Sequence, residues 1–145
     1  MQLTQYTDFS LRTLIYLGLH RDALSTITEI SASYKISRNH LVKVVHQLGA
    51  QGLIVTVRGK GGGIRLAGPP DEINIGDVVR RFESLALVEC FSDSNTCAIS
   101  PSCRLRGVLK EAMQSFMSVL DNYTLKDLLV NQKKMKSLLK VVVMQ

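Results

Sequence analysis

Between Thr26 and Leu66 the sequence sets two short amphipathic segments a turn apart, then follows them with two strand-like runs flanking a glycine-rich loop. Few folds accept that order. Thr26 and Glu29 have the spacing of a capping box, and Ile27, Ile30 and Tyr34 recur at helical spacing, which predicts a helix of about two turns. Lys35-Ile36 makes a brief turn, Ser37 is a good N-cap, and Leu41, Val44, Val45 and Leu48 mark one apolar face of the next helix. Two helices joined by a tight turn form a helix-turn-helix. Residues 53–57 are rich in β-branched side chains, Arg58-Gly59-Lys60-Gly61-Gly62-Gly63 interrupts them, and residues 64–66 resume the strand pattern. A hairpin with a basic, glycine-rich tip directly after a helix-turn-helix is a wing, here closed by Pro69-Pro70. Upstream, Thr7 is a candidate cap for a first helix with Leu11, Leu14, Ile15, Gly18 and Leu19 on one face. The expected fold is mainly α with a small β-hairpin wing: a winged helix-turn-helix in residues 1–70, then a second unit in residues 71–145.

That second unit opens with Asn74 as a cap, Asp77 in the first turn, and Ile75, Val78, Val79 and Phe82 on one side of a helix. Periodicity then fails over residues 87–99, which read as a loop. Ser100-Pro101 has the form of an N-cap and first helical residue, predicting a long helix to Asn122. Its apolar set runs from Leu105 and Val108 through Ala112 and Phe116 to Val119 and Tyr123. A helix of about 33 Å is too long for so small a domain to cover, so much of its face is expected to meet a second copy of the chain, making a homodimer. Thr124 with Asp127 starts a short final helix, and Lys133, Lys134, Lys136 and Lys140 suggest a solvated tail.

Charge is unevenly placed. Residues 1–70 carry eight Lys/Arg against three Asp/Glu, whereas residues 71–145 carry ten against nine, so the polyanion-binding half is the first. The N-terminal turn of the second helix of a helix-turn-helix enters the major groove. Here it presents Ser37, Arg38, Asn39 and His40, with Lys43 a turn later. Arginine bridges guanine O6 and N7, asparagine bridges adenine N6 and N7, and Val42 is placed to touch a thymine methyl. Arg58 and Lys60 on the wing reach phosphates or the minor groove. Two reading helices on a two-fold axis require an inverted-repeat operator in double-stranded DNA. No enzyme is expected, because no nucleophile–base pairing is visible and Gly61 to Gly63 lie between strands rather than before a helix. No membrane partner is expected either, since no run approaches about 18 apolar residues and no secretory signal opens the chain. The expected location is the cytoplasm.

The three cysteines, Cys90, Cys97 and Cys103, cannot pair off evenly, and six and five residues separate them. In a reducing compartment such a cluster reads as metal binding or redox chemistry. Structural zinc prefers a tighter pair and no histidine follows closely, whereas an iron-sulfur cluster takes soft thiolates across wider loops. Cys103, expected in the first turn of the long helix, has the positive end of the helix dipole beside it. Three thiolates leave a fourth position for a non-cysteine ligand or a residue of the dimer partner.

The opening Gln2-Leu3-Thr4 through Asp8, the stretch Ile36-Ser37-Arg38-Asn39-His40-Leu41-Val42-Lys43, the wing Val57-Arg58-Gly59-Lys60-Gly61-Gly62-Gly63 and the three downstream cysteines together resemble the Rrf2 family of bacterial iron-sulfur repressors. The resemblance extends to about Leu129 and is nearest to the nitric-oxide-sensing members. It implies that Cys90, Cys97 and Cys103 are the cluster ligands, with Asp8 of the opposite subunit as a fourth. It implies one cluster per subunit, 4Fe-4S in preference to 2Fe-2S, and DNA release when nitric oxide nitrosylates the cluster. Arg106 stands where the related iron-sulfur-biogenesis regulators carry a histidine, which speaks against their 2Fe-2S site. Lys35 replaces the usual turn glycine, a conformation other residues adopt at modest cost. The alternative is a 2Fe-2S regulator sensing iron or oxidative state.

Overall fold

The computed structural model describes residues 1–140; the last five residues of the expected tail, 141–145, lie outside the described residues. Helix α1 spans Gln5–Leu19, α2 Ile27–Tyr34 and α3 Arg38–Ala50, followed by β1 (Ile54–Val57) and β2 (Gly63–Leu66). Helix α4 is Ile75–Phe82, α5 Arg104–Asp121, α6 Leu125–Leu128 and α7 Gln132–Leu139. The mainly helical fold with a two-stranded wing is therefore as the pattern predicts.

Local chemistry accounts for most boundaries. Thr26 and Glu29 form the full capping box of α2, and Asn74 caps α4 through Asp77 N–H. Lys35 ends α2 in the left-handed region at φ 57°, making the turn that glycine would make more cheaply. Strands β1 and β2 pair antiparallel with Ile54 opposite Leu66 and Val57 opposite Gly63. Ser25, before α2, exchanges both backbone hydrogen bonds with Ile64 at 3.0 and 2.7 Å, so the hairpin is locked to the helix-turn-helix. That approach requires Gly63, where a Cβ would lie 2.6 Å from the Ser25 carbonyl oxygen. At the wing tip Gly59 and Gly61 take φ of 94° and 75°.

Three expectations are corrected. Thr4, not Thr7, caps α1, its Oγ1 accepting from Thr7 N–H at 3.3 Å; Thr7 is fully buried. Ser37 occupies the N-cap of α3 as expected, although its side chain makes no cap bond. Ser100 and Pro101 open only a 3₁₀ turn, Ser100–Ser102, because Cys103 is extended (φ −84°, ψ 112°) and α5 starts after it. Cys103 is thus the cap position rather than a first-turn residue, and the 18 residues of α5 span about 27 Å. Finally, α6 is not the last helix: Lys133, Lys134 and Lys136 of the expected solvated tail lie on α7, which packs Met135 and Leu139 against the core.

That core gathers Leu14 and Leu17 of α1, Ile30, Leu41, Val44 and Leu48 of the helix-turn-helix, and Ile54, Ile64 and Leu66 of the hairpin. Ile73, Ile75, Val78, Leu125 and Leu129 join the same cluster. Fully burying one such side chain contributes about 1.5–3 kcal/mol, so continuity across the chain holds the reading helix rigidly to α4 and the end of α5. Toward its N-terminus α5 leaves this support. Only Met117 of the helix is buried, while Leu105, Val108 and Val119 are 61%, 48% and 57% exposed.

Candidate nucleic-acid interface and cysteine loop

Burying Leu41, Val44, Val45 and Leu48 turns the opposite face of α3 to solvent. Ser37, Arg38, Asn39, His40, Val42 and Lys43 are all exposed on it. Arg38 makes only a 3.4 Å bond to Thr28 Oγ1, and the His40 ring rests 5.9 Å from Phe9 of α1. Arg58 and Lys60 are exposed at the wing tip. Among the described residues, none of Arg38, Lys43, Arg58 and Lys60 has a carboxylate within 4.0 Å. A face of unpaired cations beside an amide side chain suits a polyanion with readable edges.

The cysteine loop leaves α4 at Glu83 and returns at Cys103. A 3₁₀ turn, Glu89–Phe91, holds Cys90. The Glu89 carboxylate accepts from Thr96 N–H at 3.1 Å and Thr96 Oγ1 at 2.7 Å, which holds its pKa below the ordinary value. Asn95 accepts from Cys97 N–H at 3.0 Å and donates to Ser100 Oγ at 2.9 Å. Arg106 of α5 donates to the Cys90 carbonyl at 3.3 Å. Cys90 and Cys103 are half-buried, Cys97 is exposed, and all three are free. Among the described residues, no three His, Cys, Asp or Glu side chains stand together as a closed metal-binding set.

The donor chemistry nevertheless fits an anionic, thiolate-ligated group. Cys103 makes no side-chain cap bond, so the first N–H groups of α5 lack a side-chain acceptor from the cap. The first turn holds Arg104 and Arg106 and no acid. Cations at the positive end of a helix are unfavourable unless an anion offsets them. Thiolates carrying a cluster of net negative charge supply that anion.

Asp8 is not brought to the cysteines of its own chain. Arg12 holds it, Nε donating to Oδ1 at 3.1 Å and Nη2 to Oδ2 at 2.7 Å. The Arg12 guanidinium lies 5.6 Å from the Phe9 ring centre and 6.0 Å from that of Tyr34, whose hydroxyl donates to the Arg12 carbonyl at 2.9 Å. Burial pushes the Tyr34 pKa up to about 12.

Sequence reasoning missed Arg12, Glu83 and Glu89, and noted Arg106 without its bond to the Cys90 carbonyl. Arg12 was visible as the i,i+4 partner of Asp8. Glu83 was not: its carboxylate accepts from Thr4 N–H, Thr4 Oγ1 and Thr7 Oγ1, joining the start of α1 to the entrance of the cysteine loop across more than seventy residues.

Residues 3–131 match the family model Rrf2, described as an iron-dependent transcriptional regulator. The chain belongs to the Rrf2 family. This Rrf2 chain is 54% identical to the HTH-type transcriptional regulator NsrR of Halalkalibacterium halodurans, over 97% of this chain and 99% of the relative. It is 51% identical to the regulator of the same name from Bacillus subtilis, with the same coverage. Among solved structures, T. potens IscR shares the fold at a TM-score of 0.73 and 23% identity, covering 100% of this chain and 93% of that one. The oxidized form of Staphylococcus aureus CymR is similar at a TM-score of 0.70 and 28% identity, covering 88% and 95%. As an Rrf2 member with an open reading helix, the chain is a DNA-binding transcriptional regulator. Among the described residues, no helix is long and apolar enough to cross a membrane.

Proposed function

We propose that the chain is a homodimeric, nitric-oxide-sensing repressor that binds an inverted-repeat operator and carries one iron-sulfur cluster per subunit, 4Fe-4S in type. In this reading residues 1–70 read DNA, and residues 71–145 provide the cysteine loop and the pairing helix. The observation that carries it is the cysteine loop itself: it bears three free thiols, the last of them, Cys103, at the acid-free, arginine-bearing start of α5, and it is joined through Glu83 to the first helix of the DNA-reading unit. The nitric-oxide signal is supported by the resemblance to nitric-oxide-sensing repressors and by relatives named NsrR.

Cys90, Cys97 and Cys103 would hold the cluster, with Asp8 of the opposite subunit as its fourth ligand. When bound, the cluster supplies iron that reacts with nitric oxide. The chain's own residues would couple a change at that site to the reading heads. Asp8 is held by Arg12 four residues on, and a metal across the interface would compete with that ion pair for its carboxylate. Asp8 returned to Arg12 unties α1 from the other subunit, and α1 packs through Phe9 against His40 in the reading turn. A change in the spacing of two reading heads needs to cost only a few kcal/mol to empty an operator, since each 1.4 kcal/mol is about tenfold in affinity.

The test is an operator-binding assay on anaerobically purified protein before and after stoichiometric nitric oxide, with iron and sulfide counted. Release on addition supports the reading, and about four of each per subunit supports the 4Fe-4S type. Unchanged binding by iron-loaded protein overturns the sensing role, and colourless protein that binds its operator at full strength overturns the cluster.

A further inference from the structure

Beside the reading turn lies a second feature, an open groove of about 620 Å³ between α3, the start of α1 and the end of α4. Tyr6 and Phe82, edge to face at 5.7 Å, form its apolar floor. Lys43, His46 and Arg81 stand exposed around it, and no Asp or Glu lines it. Asn39, Lys43 and His46 follow one another at helical spacing, so the groove continues the face that carries the base-reading residues.

Two adjacent arginines at the end of α4 have unlike fates. Arg80 is engaged by Asp77 and Asp121. Arg81 donates one N–H to the Gln51 carbonyl at 3.1 Å, at the C-terminal end of α3, and no carboxylate lies within 4.0 Å of it among the described residues. A guanidinium has five N–H donors. Arg81 therefore keeps most of its donors and its whole charge available, on a helix whose apolar face is fixed in the core.

We propose that this groove binds the sugar–phosphate backbone of the same duplex whose bases face the reading turn, with Arg81, His46 and Lys43 as its phosphate ligands. This rests on the DNA-binding reading of α3 and extends it to α4. The occupant follows from charge complementarity, cations without acids on a surface continuous with the reading face, because phosphate contacts position a protein on DNA. It also gives α4 a second role. Two residues after Arg81 comes Glu83, so the segment entering the cysteine loop has one end on the phosphates.

The experiment is a set of anisotropy titrations of the full dimer on two duplexes of about 30 base pairs, one selected from a random pool and one scrambled. Salt is varied between about 50 and 200 mM. Arg81→Gln is expected to reduce the slope of log K against log salt by about 1.8 per dimer, one phosphate contact in each subunit. The reduction is the same on both duplexes, and Arg81→Lys restores most of it. An unchanged slope with Arg81→Gln overturns the proposal even if affinity falls, since Arg81 then acts by capping α3 or serves a different partner, such as an acidic protein. A loss confined to the selected duplex, or failure of Arg81→Lys to rescue, overturns it as well. Arg38→Ala is the control for the underlying reading: if it abolishes sequence preference while Arg81→Gln keeps the full slope, only the groove is removed. Wild-type protein that binds neither duplex removes both.

Discussion

Arg80 and Asp121 meet through two parallel hydrogen bonds of 2.6 Å, fastening the end of α5 across α4. The pair sits over Gly76, where any Cβ would overlap the Asp121 carboxylate, and beside Asn74, whose amide donates to the Asp121 carbonyl at 2.8 Å. Gly76→Ala is expected to destabilise the fold by about 1–3 kcal/mol despite the better helix propensity of alanine, because the crowded atoms belong to a fixed ion pair. Urea denaturation of the purified variant measures it.

The same pair sets an acid limit. Hydrogen bonding from Arg80 holds the Asp121 carboxyl below its ordinary pKa of 3.8. Its contribution is therefore complete above the ordinary carboxylate range and is lost as pH falls through the depressed native value. Asp121→Asn should lower the thermal midpoint at neutral pH and flatten its decline in acid. An Asn variant whose midpoint falls as steeply in acid as the wild type would show that other carboxylates govern acid unfolding.

Much of this architecture was legible because its causes are local. The capping box at Thr26 and Glu29, the cap at Asn74 and the apolar stripes at Leu41 to Leu48 act within a turn or two of chain. What escaped was set at a distance. Thr7 resembled a cap because its hydroxyl suits one, but Glu83 claims that hydroxyl from the far end of α4. Ser100-Pro101 signalled a helix start correctly in kind, yet the extended Cys103 postponed it. The candidate ligands divide the same way: three cysteines were visible at once, whereas Glu89 and Arg106, which shape their loop, carry no motif.

Arg38 and Asn39 project from an otherwise unobstructed turn, with Arg38 held only by a long bond to Thr28. Replacing either by alanine is expected to cost about 1–3 kcal/mol on a selected operator and to relax specificity at one base pair per half-site. Lys60→Ala, at the wing tip, should instead weaken all duplexes alike and lower the salt slope. Competition binding against a library of single-base operator variants separates the two behaviours. Equal losses on every variant would move Arg38 and Asn39 from base edges to phosphates.

Leu105, Val108, Ala112, Phe116 and Val119 recur three or four apart along α5, and most of that stripe is open to solvent. A row so spaced on a helix of about 27 Å fits the seam of the homodimer proposed above. Val108→Lys is expected to dissociate the dimer while leaving the far-ultraviolet circular dichroism unchanged, and to weaken operator binding sharply because each monomer then holds one half-site alone. Sedimentation velocity supplies the check. A variant that remains dimeric places the interface elsewhere.

Glu89, which is not among the proposed ligands, closes part of the cysteine loop. Its carboxylate is next to Cys90 in sequence and binds Thr96, next to Cys97, so the chain between the first two thiols is closed by one acceptor. Glu89→Ala leaves every proposed ligand in place but frees that closure, so the thiols must be ordered at the moment of metal binding. Fixing a residue's backbone costs about 1–2 kcal/mol, and several residues would be released. The expected result is a lower yield of iron and sulfide per subunit after anaerobic reconstitution, and faster loss of both to a chelator, with thermal stability of the metal-free protein nearly unchanged. Equal retention by both proteins would mean that Arg106, bonded to the Cys90 carbonyl from α5, orders the loop without help.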